Sequence, residues 1–186
     1  MRIVAGKLRG RRIMAPENRD IRPTSDRVRE SLFDILAHRH DGLPEGAIVA
    51  DIFSGTGALG LEALSRGAAH VTFVDSDRTA LDLARKNASQ LDVAREARFL
   101  LRDATRPGPS SKPIDLMFLD APYRSDLSAP ALRALIENGW CRPGALIVIE
   151  LAKTEDVALP EGCEAVDTRV YGHTKLVFAR APRGET

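Results

Sequence analysis

The chain has 186 residues, 44% hydrophobic and 28% charged, which is enough apolar material for one ordinary domain with a substantial core. No apolar run approaches the ~18 residues of a membrane span, and the N-terminus lacks the apolar stretch of a secretory signal, so a cytoplasmic protein is expected. The formal net charge of +1 hides an asymmetry: residues 1–29 hold nine Lys or Arg against three acids, a local +6 that leaves −5 for the rest. Such a distribution predicts a polyanion-binding arm on a mildly acidic body. Cys141 and Cys163 are too few and too far apart for a disulfide framework or a zinc site, and no metal is expected.

In chain order, residues 2–5 and 11–14 flank a turn punctuated by Gly6 and Gly10, which predicts a short β-hairpin. Ile3, Val4, Leu8, Ile13 and Met14 interleave with the charges and favour an ordered hairpin over a solvated tail. Residues 1–23 are therefore read as a basic arm, and 24–186 as the main domain. Thr24 is a predicted N-cap for a helix whose Val28, Leu32, Ile35 and Leu36 share one face. Strands are predicted at 48–53, 70–75, 97–101, 116–120 and 146–150, with helices between them. Leu81, Ala84, Ala88 and Leu91 mark the buried face of one such helix. The strands are continuous apolar runs, as expected where helices cover both faces of a parallel sheet. Residues 107–113 read as a connecting loop. Strands at 164–171 and 175–180, joined by Gly172-His173, complete seven with a terminal antiparallel hairpin.

Two motifs carry chemistry. In Asp51-Ile52-Phe53-Ser54-Gly55-Thr56-Gly57-Ala58-Leu59-Gly60, a strand runs into a glycine-rich turn and then a helix. Gly55, Gly57 and Gly60 have the G-x-G-x-x-G spacing that lets backbone approach a cofactor closely. Asp75, ending the next strand, stands where a ribose-binding carboxylate belongs. Both features fit a nicotinamide or flavin dinucleotide as well as S-adenosylmethionine. Asp51 tilts the reading toward the latter, because a carboxylate there would attract a cationic methionine end and repel a pyrophosphate. The second motif is Asp120-Ala121-Pro122-Tyr123, directly after an apolar strand. Its ring can stack on a planar base, while the Asp120 carboxylate and Ala121 carbonyl accept hydrogen bonds from an exocyclic amine. A hydride-transfer enzyme has no evident use for that turn. Asp103 lies just past the third strand, and Asp77 is the predicted cap of the helix that follows Asp75. His38, His40 and His173 lack a third ligand or a nucleophile.

The two motifs, with Arg22-Pro23-Thr24-Ser25-Asp26-Arg27-Val28-Arg29-Glu30-Ser31-Leu32-Phe33 and Tyr171-Gly172-His173-Thr174-Lys175, resemble the bacterial small-subunit ribosomal RNA guanine-N2 methyltransferases. These belong to the larger class I S-adenosylmethionine-dependent amino-methyltransferases. The resemblance runs from Arg2 to about Arg180. It implies a Rossmann-like, mostly parallel seven-stranded sheet with an N-terminal hairpin and helix appended. It also implies methyl transfer to a guanine N2 of 16S ribosomal RNA, free or in the small subunit, by a monomer. Donor contacts are implied for Asp51, Phe53, Ser54, Gly55, Thr56, Gly57, Asp75, Ser76, Asp103 and Ala104, and catalytic roles for Asp120, Ala121, Pro122 and Tyr123. The basic arm and the segment that follows it predict RNA contacts at Lys7, Arg9, Arg11, Arg12, Arg22 and Arg27. One departure from the family pattern is Ala121, where a second proline is usual. Methylation of DNA bases or of a protein glutamine stays open as an alternative, as does a non-catalytic RNA-binding module.

Overall fold

The computed structural model describes residues 1–15, 26–39 and 43–184. Arg22, Thr24 and His40 fall outside them. The elements are α1 (Asp26–Arg39), β1 (Ile48–Ile52), α2 (Ala58–Ser65), β2 (His70–Asp75), α3 (Arg78–Gln90), β3 (Ala97–Leu101), β4 (Ile114–Leu119), α4 (Ser128–Glu137), β5 (Cys141–Ala152), β6 (Glu164–Tyr171) and β7 (Thr174–Arg180). They build one seven-stranded sheet in the order β3-β2-β1-β4-β5-β7-β6. β7 runs antiparallel to both β5 and β6, and the remaining pairs are parallel. The order reverses between β1 and β4, which opens a crevice at their carboxyl ends.

The core lies on both sheet faces. Leu32, Phe33 and Leu36 of α1, Leu61 and Leu64 of α2 and Leu81 of α3 join Phe73, Phe118 and Phe178 in one cluster. Leu132 and Leu135 of α4 join Met117, Ile147 and Trp140 in the other. Leu81, Ala84, Ala88 and Leu91 are all buried, as their spacing predicts.

Two connections differ from the alternating pattern. Residues 102–113, between β3 and β4, form no helix. Pro107, Pro109 and Pro113 deny that segment the donors a helix needs. The loop is held instead by Trp140 Nε1, which donates to the Gly108 carbonyl at 2.8 Å, and by Arg102, which donates to the Pro107 carbonyl. β5 begins at Cys141, five residues earlier than its apolar run, and passes through Pro143-Gly144. A register shift against β4 absorbs the irregularity.

The N-terminal hairpin forms and is stitched to the body. Ile3 N–H donates to Arg11 at 2.9 Å and Ile13 N–H to Met1 at 3.1 Å. Ile3 and Ile13 are 1% and 4% exposed and belong to the core. Every residue of α2 is buried, including Glu62 and Ser65, because the hairpin covers its outer side. The Glu62 carboxylate accepts the Val4 and Ala5 N–H groups at 2.8 and 2.9 Å. Lys7 N–H donates to the Ser65 carbonyl at 2.8 Å, and a Cβ on neighbouring Gly6 would lie 2.0 Å from that same oxygen. Only glycine fits there.

Candidate active site

The first half of the candidate site grows out of the β1–α2 turn. After Ile52 the backbone turns left-handed at Phe53 (φ 59), Gly55 (φ 51) and Gly57 (φ 77). Phe53 is the costly position, since a left-handed non-glycine residue stores ~1–3 kcal/mol of strain, a feature that clusters at functional sites. Gly57 N–H closes the turn on the Ser54 carbonyl at 2.7 Å, and Ser54 N–H ties it to the Val74 carbonyl at 3.1 Å. Gly60 has a packing role: a Cβ there would sit 2.4 Å from the Phe73 ring, so α2 approaches β2 only because none is present.

Around this turn the strand-terminal acids are already engaged with backbone. Asp75 accepts the Gly55 and Asp77 N–H groups, both at 2.9 Å. Asp77 caps α3 by accepting the Thr79 N–H at 2.8 Å. Asp51 is buried and accepts the Gly60 N–H at 2.9 Å. Burial pushes its carboxyl up to about 7, with nearby Asp75 adding to the rise and the Gly60 N–H opposing it. Asp103 is exposed, and its bonds from the Thr105 hydroxyl and N–H hold its carboxyl below the usual range. Ser76 is exposed and Ala104 is buried.

Sequence reasoning missed Asn87. This fully buried side chain accepts the Met14 N–H at 2.7 Å and donates to the Met14 and Thr56 carbonyls at 3.1 and 3.0 Å. It therefore joins the end of the hairpin to the glycine turn. The only sequence signal is an amide on the otherwise apolar stripe of α3.

The second half of the candidate site lies on the adjacent strand ends. Asp120 N–H donates to the Ile52 carbonyl at 3.2 Å, which brings the Asp120–Tyr123 turn beside the glycine turn. Ala121 is buried, Pro122 is exposed, and Tyr123 is 39% exposed. The Tyr123 hydroxyl donates to Glu150 Oε1 at 3.1 Å and lies 3.2 Å from Thr174 Oγ1. Burial pushes the phenol up to about 12; the Thr174 hydrogen bond opposes this, and the Glu150 and Asp120 carboxylates reinforce it. The ring therefore keeps its proton near neutral pH and cannot serve as a base. Just beyond it Arg124 and Asp126 have φ 59 and 54. Glu155 holds this strained segment by accepting the Arg124 N–H, and the Ala152 N–H at 2.8 Å.

The basic residues divide. Lys7, Arg9, Arg12 and Arg27 are exposed and make no ion pair among the described residues. Arg11 instead donates to the Gln90 carbonyl at 2.5 Å and lies 3.6 Å from Asp92. Among the described residues no group of His, Cys, Asp or Glu could hold a metal, and no helix is long and apolar enough to cross a membrane.

A seven-stranded sheet of this order, with a glycine turn after β1 and an antiparallel β7, is the fold of the class I methyltransferases. Residues 1–180 match a family described as conserved hypothetical protein 95. Ribosomal RNA small subunit methyltransferase D of Haemophilus influenzae is 35% identical over 179 residues, covering 92% of this chain and 89% of that protein. The Escherichia coli K12 protein of the same name is 39% identical over 151 residues, covering 81% and 74%. The solved structure of yhhF from Escherichia coli superposes with a TM-score of 0.82 at 34% identity, covering 98% of each chain. An RNA methyltransferase from Salinibacter ruber, solved in complex with S-adenosyl-L-homocysteine, shares the fold at 18% identity with a TM-score of 0.65, covering 89% and 97%. The chain belongs to the rRNA methyltransferase family that the first two relatives represent.

Proposed function

We propose that this protein transfers a methyl group from S-adenosylmethionine to the exocyclic N2 amine of a guanine in 16S ribosomal RNA. The observation that carries the reading is the meeting of the two turns at the sheet's switch point, Phe53–Gly57 beside Asp120–Tyr123. The relatives named for small-subunit rRNA methylation support the substrate class, and the product complex of the Salinibacter ruber neighbour supports the donor.

The donor turn fits such a molecule. Ser54 Oγ is buried with no partner among the described residues, and a Cβ on Gly55 would meet nothing within 4 Å, which leaves room for a ligand against the backbone. Asp75 would hold ribose hydroxyls, Asp103 and Ala104 would flank the adenine, and Asp51 would face the cationic methionine end. S-Adenosylmethionine supplies an electrophilic methyl group on sulfur, so the protein's task is alignment, which can contribute up to ~7–11 kcal/mol for well-placed reactants. Tyr123 would stack on the base, a contact worth ~1–3 kcal/mol. Asp120 and the Ala121 carbonyl would accept from the amine and stabilise positive charge developing on its nitrogen.

Mapping methylated nucleotides in ribosomal RNA from cells with and without the protein tests the reading. Loss of one N2-methylguanine from 16S RNA is expected. Transfer of labelled methyl to DNA or protein instead would overturn it.

Two further outcomes are expected. A cationic donor binds the ionised form of Asp51, so below its pKa of about 7 binding must release a proton. Donor affinity should therefore fall by up to about tenfold per pH unit below neutrality and level off above it. Asp51→Asn should flatten that profile in calorimetric titrations. For RNA, replacing Lys7, Arg9 and Arg12 with Ala should make log K against log salt shallower by about 2 to 3, at ~0.7–0.9 per phosphate contact. An unchanged slope would place the RNA surface elsewhere.

A further inference from the structure

We propose that Glu150 is a positioning residue for base capture: through the Tyr123 hydroxyl it fixes the ring on which the target base stacks. The inference rests on the stacking role given to Tyr123 above.

Glu150 ends the apolar run of β5, as Asp120 follows that of β4. Phe118 pairs with Val148, so the register carries the two acids to neighbouring positions on one sheet face. Glu150 is buried while Tyr123 is half-exposed, so the pair joins a fixed wall to an open ring. Thr174 arrives from the other side because it pairs with Ala152 at the start of β7. That placement gives the Tyr171–Lys175 turn a use: it delivers a second hydroxyl to the phenol.

The geometry explains why an anchor at this atom matters. A phenol oxygen lies on the Cβ–Cγ axis of its side chain. Holding it fixes where that axis points and leaves the ring only rotation about the axis. The surrounding backbone needs such a restraint, because Arg124 and Asp126 are both left-handed and Pro122 carries no N–H to bind the turn. Glu155 secures the backbone side through the Arg124 N–H, and Glu150 secures the ring side. A mobile ring would have to be immobilised by each incoming base, and affinity would drop accordingly.

A double-mutant cycle separates this role from simple structural support. Tyr123→Phe keeps the ring and removes the anchor. Both Tyr123→Phe and Glu150→Ala should lower kcat/KM for RNA about ten- to a hundredfold, the range for a hydrogen bond to a charged group. The loss should fall mainly on KM, with donor affinity unchanged. In the Tyr123→Phe background, Glu150→Ala should add less than about twofold, since partners in one contact do not act additively. Glu150→Gln keeps an acceptor oxygen and should restore most of the loss. It also serves if the alanine variant does not fold.

The chain has two tyrosines, so ¹³C-tyrosine labelling gives Tyr123 its own Cζ resonance, readable without substrate. That resonance should move in Glu150→Ala and less in Glu150→Gln. Equal losses from Glu150→Ala in both backgrounds, or an unmoved Tyr123 resonance, would overturn the proposal. A shifted resonance in a protein whose wild type leaves rRNA unmethylated would uphold the anchor and overturn the proposed function instead.

Discussion

Asp120→Ala is expected to reduce methyl transfer by at least about 10²–10³-fold, the scale set by removing one preorganised group that stabilises developing charge. In the proposed arrangement Asp120 would face the base and not the glycine turn, so donor affinity should stay within a few-fold. The reason lies in the nucleophile. The lone pair of a guanine N2 amine is delocalised into the ring, so attack requires a pyramidal nitrogen that gains positive charge. Asp120 and the Ala121 carbonyl are the acceptors the turn offers to that nitrogen. Ala121 supplies its carbonyl whatever its side chain, so Ala121→Pro should be tolerated. Single-turnover assays with labelled donor separate the effects. An Asp120→Ala enzyme with near-normal turnover would show that orientation alone suffices.

Glu62→Ala should have the largest effect on stability. Its fully buried carboxylate gathers the Val4 and Ala5 N–H groups and Arg66 Nε, at 2.8 to 2.9 Å. Arg29 Nε, also fully buried, lies 3.9 Å away. Arg29 further donates to the Arg2 carbonyl at 2.5 Å and to Asp26 at 2.9 Å, so α1, α2 and the hairpin meet at this cluster. Removing one partner of a buried ion pair strands the other and costs about 3–5 kcal/mol. Two backbone N–H groups would lose their acceptor as well. Chemical denaturation measures the loss, and Glu62→Gln should recover part of it. A change below about 1 kcal/mol would mean that the apolar contacts of Ile3 and Ile13 dock the hairpin unaided.

These polar clusters mark where the sequence stopped being legible. Strands 70–75, 97–101 and 164–171 match the observed bounds because turn residues follow them closely: Ser76-Asp77, Asp103 and Gly172. The glycine turn and the Asp120–Tyr123 turn were legible as turns for a related reason: each is a local segment contiguous in the chain. Glu62, Asn87 and Glu150 were not. Each takes its meaning from a partner distant in sequence, and an acid in a helix or at a strand end reads locally as solvated. A hint was present in the α2 sequence Ala-Leu-Gly-Leu-Glu-Ala-Leu-Ser, whose apolar residues leave no polar face for Glu62 to occupy. Pro143-Gly144 concealed the early start of β5, since both residues signal a break. The loop at 107–113 was legible for the opposite reason, since its three prolines mark it as irregular in the chain itself.

The stitching of the hairpin also bears on how the chain folds. Its bonds to Glu62 and Ser65 span 57 to 60 residues, and those to Asn87 span 73. The hairpin therefore cannot reach its seat during synthesis until α2 and α3 have been made. Closing loops of that length is slow compared with forming a local turn. Nascent chains would carry Ile3 and Ile13 uncovered through this interval. The amides of Val4 and Ala5 should accordingly be among the last to gain protection in pulse-labelled hydrogen exchange during refolding.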